Sequence, residues 1–138
     1  MHLLFDTNVL LDVLLAREPW VDVATALWRA NDEGRLVGYV VASALTDIFY
    51  IARRLTDVDR AREAVQLCMA AFEICPVERA TIERALALRG RDFEDNIVMA
   101  CAEMMGLDGI VTRNVTDFVH SPVPVWSPEE ALARVVQG

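Results

Sequence analysis

The sequence predicts an α/β fold in which a mostly parallel sheet is covered by helices on both faces. Three observations carry that reading. The opening stretch, residues 1–15, reads MHLLFDTNVLLDVLL, and neither of its apolar runs alternates with polar residues. A strand with no polar side is one buried on both faces, as at the centre of a parallel sheet. Further along, short β-rich runs alternate with segments of helical spacing, which is the rhythm of strand–helix–strand units. Finally, Gly34, Gly90 and Gly106 stand where that rhythm needs its helices to stop.

The first strand is expected over residues 3–5, ending at Asp6-Thr7-Asn8, and a helix follows at once through Val9, Leu10 and Leu11. Arg17-Glu18-Pro19 breaks the chain, because proline disfavours helix in the residue before it. A helix over 20–31 puts Val23, Ala24, Leu27 and Trp28 on one face, and residues 36–41 form the second strand. The next helix covers about 44–55 and ends with Arg53 and Arg54. Thr56-Asp57 caps another reaching about residue 72, with Ala61, Ala64, Val65, Cys68 and Met69 inward. Residues 73–77 make a short third strand, and a helix over 78–88 stops at Gly90. The run Arg91-Asp92-Phe93-Glu94-Asp95-Asn96 opens a helix whose buried stripe is Ile97, Val98, Cys101, Met104 and Met105. Residues 109–112 form the fourth strand, 113–118 a loop or short turn, and 123–126 the last strand. Ser127-Pro128-Glu129-Glu130 starts a closing helix with proline in its first turn. No repeat or linker interrupts this order, so one domain spanning residues 1–138 is expected.

Composition excludes several classes. The chain is 54% hydrophobic, yet charges interrupt every stretch, and no apolar run approaches the roughly 20 residues of a membrane span. No basic region precedes the first apolar run and no small-residue cleavage site follows it, so a cytoplasmic protein with no membrane partner is expected. Cys68, Cys75 and Cys101 form no C-x-x-C pair and read as buried small hydrophobes. His2 and His120 are the only histidines, too few for a histidine-rich metal site. All 13 basic residues are arginine, and the net charge is −8. An acidic surface opposes non-specific nucleic-acid binding unless some of the acids are committed to divalent cations.

Three carboxylates are candidates for that commitment. Asp6 ends the first strand, Asp95 lies in the first turn of a helix, and Asp117 lies in the loop after the fourth strand. In an alternating parallel sheet, strand ends and the following helix starts share one edge, where open α/β sheets place their ligands. Carboxylates converging there must be protonated, matched by arginine or bridged by a cation. Oxygen-only ligands imply Mg²⁺ or Mn²⁺, which activate water for phosphodiester displacement. Taken singly, Asp92, Glu94 and Asp95 also suit helix caps, Asp117 suits a turn, and Asp12 suits a partly exposed face or an arginine partner.

Asp6-Thr7-Asn8 after a strand, Asp95 followed by Ala100 and Ala102, and Val111-Thr112-Arg113-Asn114 followed by Asp117-Phe118 together resemble the PIN domain, in the branch of VapC-type toxins. The resemblance covers nearly the whole chain. It implies a three-layer α/β/α sandwich of about five strands and an Mg²⁺- or Mn²⁺-dependent endoribonuclease for single-stranded RNA. It also implies a homodimer and a small antitoxin protein as partner. Carried onto this chain, Asp6, Asp95 and Asp117 are the metal ligands and catalytic acids. Thr7, Asn8, Thr46, Thr112 and Asn114 match supporting polar positions, and Arg113, with Arg91 or Arg53, would contact RNA phosphates. The chain departs from the pattern at the second acid. The usual glutamate position falls on Phe49, and Asp47 is the nearby carboxylate, about 200° away on a helix. Asp47 is therefore a candidate replacement catalytic acid.

Two other readings stand beside this one. A degenerate PIN domain would bind RNA or protein without cutting. A phosphatase of the haloacid-dehalogenase type would use Asp6 as nucleophile, but Asn8 sits where that class wants an acid and the chain has no lysine. A dinucleotide-binding fold is disfavoured because no glycine-rich turn follows the first strand.

Overall fold

A computed structural model describes residues 1–137. Gly138, the last residue of the expected 1–138 domain, lies outside the described residues. The elements follow in the order β1 His2–Phe5, α1 Thr7–Leu14, α2 Val21–Asp32, β2 Val37–Val41, α3 Ala42–Leu55, α4 Val58–Ala71 and β3 Glu73–Cys75. After these come α5 Arg79–Ala87, α6 Phe93–Met104, β4 Gly109–Val111, a 3-10 turn Val115–Phe118, β5 Val125–Trp126 and α7 Pro128–Gln137.

All strand pairs are parallel, in the order β3-β2-β1-β4-β5. The non-alternating first run is thus explained: β1 has a strand on each side, and Leu3, Leu4 and Phe5 are almost wholly buried. Right-handed crossovers put α1 to α4 on one face and α5 with α6 on the other, giving the expected α/β/α sandwich. Strand order reverses between β1 and β4, so their carboxyl ends open a crevice where neighbouring crossovers diverge. Asp6 and Thr112 are the first residues beyond those two ends.

Prolines set the short edge strands. Pro76 has no N–H to extend β3, and Pro122 and Pro124 confine β5 to two residues where 123–126 was expected. Two expected core positions are also corrected. Met69 is largely exposed, because α4 buries only its Ala61–Ala64–Cys68 edge. Met104 and Met105 are about half exposed, at the end of a helix closed by Gly106 at φ +65°. Instead Met99, Ala100 and Ala102 are buried together with Ile97, Val98 and Cys101, so the middle of α6 is enclosed nearly all round. No helix among the described residues is long and apolar enough to cross a membrane.

Candidate active site

Asp6 stops β1 and starts α1. Its backbone is extended, and its Oδ1 accepts the Thr7 N–H at 2.9 Å as the helix N-cap. Its Oδ2 accepts the Thr112 hydroxyl at 2.8 Å and the Asn8 amide at 3.3 Å. Thr112 is fully buried just past β4, and its Oγ1 also accepts the Asn114 N–H at 3.0 Å. Asn8 closes the corner from the other side, its Oδ1 accepting the Arg113 N–H at 3.4 Å. Thr7, Asn8, Thr112 and Asn114 therefore form one polar cradle around Asp6. Burial raises the Asp6 carboxyl above the ordinary aspartate range; bonds from Thr112 and Thr7 lower it, and the charges of Asp117 and Asp92 raise it further.

The acidic run at the start of α6 divides its labour. Asp92 is the cap, accepting the Asp95 N–H at 3.1 Å. Asp95 is left free of capping, half-buried, and is pushed up to about 7 by burial first, then by the charges of Asp92, Asp6, Asp117 and Glu94. Carboxylates from β1, α6 and the 3-10 turn thus feel one another across the crevice. Asp117 is exposed on that turn, its N–H bonded to the Asn114 carbonyl at 2.9 Å.

A cleft of about 500 Å³ brings Asp6, Thr7, Asn8, Asp47, Glu94, Asp95, Arg113 and Asn114 together. Asp47 reaches it on the α3 face that also presents Ser43, Ala44 and Ile51. Glu94, read from sequence only as a possible cap, lines the same cleft, and the charge of Asp47 raises its carboxyl. Phe49 turns away, edge-on to Tyr50, and Thr46 goes with it into a separate hollow bounded by Leu45 and Val65. The expectation that Thr46 supports the acids is corrected, because the rotation that aims Asp47 inward aims Thr46 outward.

A second hollow of about 540 Å³ adjoins the first at Asp95 and is lined by Arg89, Gly90, Arg91, Asp92, Thr116, Asp117 and His120 among others. Asp117 faces this hollow rather than the main cleft. One histidine, His120, lines the same hollow as Asp92, Asp95 and Asp117, while Arg53 lines neither hollow.

Arg113 is less free than the sequence suggested. Its Nε and Nη2 donate to Asp12 at 2.8 and 3.3 Å, and its guanidinium lies 3.8 Å from the Trp20 ring centre. Arg17, missed in the sequence, donates to the same carboxylate at 2.9 Å and to the Asn8 carbonyl at 3.2 Å. Asp12 has no exposed surface. Its sequence signal was a lone acid in an apolar helix, and the arginine-partner alternative describes it.

The donor set suits a hard divalent cation: carboxylates, hydroxyls and amides, with oppositely charged groups held off on Asp12. Among the described residues, however, no three acidic, histidine or cysteine side chains are grouped closely enough to hold one ion as they stand. The chemistry fits a cation; the side chains would have to close on it.

A family model described as "PIN domain" matches residues 2–116. A toxin–antitoxin complex from Klebsiella pneumoniae is similar at TM-score 0.68 and 26% identity, over 91% of this chain and 96% of that one. DNA-bound VapBC from Salmonella typhimurium is similar at TM-score 0.74 and 15% identity, over 93% and 98%. The sarcin-ricin loop cleaving toxin VapC20 from Mycobacterium tuberculosis gives TM-score 0.65 at 16% identity, over 78% and 86%. The comparison with curated proteins gave no match. With the acids on the sheet edge where strand order reverses and the family model spanning most of its length, this chain belongs to the PIN-domain family.

Proposed function

We propose that this chain is an endoribonuclease that cleaves single-stranded RNA with Mg²⁺ or Mn²⁺, and that it is the toxin of a toxin–antitoxin pair. The observation that carries the nuclease reading is Asp95. It is half-buried, is not the cap of its helix, lines both hollows, and is pushed up to about 7 by burial first and then by the charges of Asp92, Asp6, Asp117 and Glu94. A site that concentrates negative charge, with no arginine ion-paired to its acids among the described residues, is arranged for a cation. Family membership supports the same reading, as does the likeness to a toxin–antitoxin complex at 26% identity.

Asp6, Asp95 and Asp117 would hold the cation, with Asp47 as a fourth acid at the opposite wall. When bound, the cation supplies an activated water and neutralises charge developing on the phosphodiester. The chain's own residues do the positioning. Thr112, Asn8 and the Thr7 N–H keep Asp6 in one orientation. Asp47 and Glu94 add two further carboxyls to the far side of the cleft. Arg113, anchored on Asp12, has only its remaining N–H groups to offer a phosphate. A homodimer and a small antitoxin protein complete the proposal.

The test is cleavage of unstructured RNA in Mn²⁺, with and without EDTA, by wild type, Asp6→Asn and Asp95→Asn. Loss in both variants and in EDTA is expected, and equal cleavage by all three proteins overturns the reading. One observation favours the alternative of a non-cutting RNA- or protein-binding PIN domain: the acids are not grouped around one point. Calorimetric titration with Mn²⁺ separates the two, since a non-catalytic module gives no saturable binding.

A further inference from the structure

We infer that the second hollow is the path of the RNA strand leaving the cleft, with Arg89 and Arg91 as its phosphate contacts; this rests on the nuclease reading and assigns its substrate-binding residues. The positive charge nearest the acids is otherwise committed. Arg17 and Arg113 are paired with Asp12, and Arg84 is paired with Glu103. Arg89 and Arg91 are exposed and make no ion pair among the described residues, although Asp92 lies beside them in sequence. They stand in the wall of a hollow of about 540 Å³ that adjoins the cleft at Asp95, a residue lining both. An acidic protein that handles a polyanion has to place free guanidiniums where the strand lies.

The loop that carries them is built rather than incidental. Asn96, only 5% exposed, donates its side-chain amide to the Gly90 carbonyl at 3.0 Å and to the Leu88 carbonyl at 3.5 Å. Its Oδ1 has no hydrogen-bond partner and packs against Gly90, where a Cβ would come within 2.2 Å of it. The two donated bonds tie the loop to the start of α6. Gly90 permits that approach, and Arg89 and Arg91 flank it. Asp92 and Asp117 line the same hollow as the arginines, a mixture that suits a phosphate touched by arginine and bridged to the acids through a cation.

The test measures binding of a fluorescein-labelled single-stranded RNA by anisotropy in Mn²⁺ over a range of salt, in an Asp6→Asn background so that the probe stays intact. Adding Arg89→Ala and Arg91→Ala is expected to weaken binding and to make the slope of log K against log salt shallower by about 1.4, the value for two phosphate contacts on a single strand. Arg89→Lys with Arg91→Lys restores the slope. Gly90→Ala weakens binding without removing charge, because its Cβ displaces the Asn96 clamp. An alanine pair that binds with the parent's affinity and slope overturns the inference while the nuclease reading stands. Wild type that binds but never cleaves overturns the nuclease reading and leaves this result in place. No RNA binding by the parent together with no cleavage by wild type overturns both.

Discussion

Asp12 and Asp95 are both acids withdrawn from solvent, one on α1 and one on α6, and the fold treats them in opposite ways. Asp12 has no exposed surface and is held by Arg17 and Arg113, the latter stacked on Trp20. Asp95 makes no ion pair among the described residues and is surrounded by Asp6, Asp92, Asp117 and Glu94. The difference separates structure from chemistry. A compensated buried carboxylate stabilises the corner on which it sits; an uncompensated one stores unfavourable charge that a ligand can relieve.

Four measurements break or sharpen that contrast. The largest effect is expected from Asp12→Ala, which leaves two guanidiniums facing an empty site and destabilises the fold by about 3–5 kcal/mol, read by urea unfolding. In the same assay at pH 8 in EDTA, Asp95→Asn should raise the midpoint, because it removes a charge that its neighbours oppose. A midpoint lowered by Asp95→Asn would erase the distinction between the two acids.

Next in size is activity: Asp6→Asn or Asp95→Asn should lower kcat/KM for RNA cleavage by on the order of 10²–10³, the cost of losing a charged group at a reacting centre. Asp47→Asn should cost less, about tenfold, as befits a group behind the principal ligands. Phe49→Glu should leave cleavage near wild type, since that side chain faces Tyr50 away from the cleft. Rescue of Asp47→Asn by Phe49→Glu would contradict the placement of α3.

The smallest effect is a pH slope. Asp95 has its carboxyl raised from 3.8 to about 7, so between those values the folded state binds more protons than the unfolded state. Its contribution therefore favours folding at low pH and is lost as pH rises through about 7 in EDTA. Saturating Mn²⁺ binds the deprotonated form and should flatten or reverse that slope between about 4 and 7. An EDTA slope from this residue that rises over the same range would show that Asp95 is not opposed by its neighbours; comparing wild type with Asp95→Asn isolates it.

Much of this was legible along the chain, for local reasons. Each strand and helix was visible because burial imposes its period on contiguous residues: Leu3-Leu4-Phe5 has no polar alternate, and Ala61, Ala64 and Cys68 keep one helical face. Errors fell where burial stops at an element's end, as at Met104 and Met105, or where a proline removes a ladder bond, as at Pro124. Asp6 and Asp95 were readable because a strand end and a helix start fall on the same sheet edge once the alternation is known. Asp92 could be told from Asp95 only once the cap was seen, since both suit a first turn.

By itself, then, the sequence determined the parallel sandwich and the three acids at its edge, because these follow from periodicity and chain order, and it pointed to the family through the resemblance of its motifs. Tertiary structure alone decided that Asp47 and not Phe49 faces the cleft, that Glu94 lines it too, and that Arg113 is anchored on Asp12. The first depends on the phase of a helix that leaves β2 with no intervening loop, where each residue turns the side chain by about 100°. The others bring together side chains far apart in the chain, Arg113 and Asp12 being 101 positions apart, and no local pattern records which distant charge will be brought within reach.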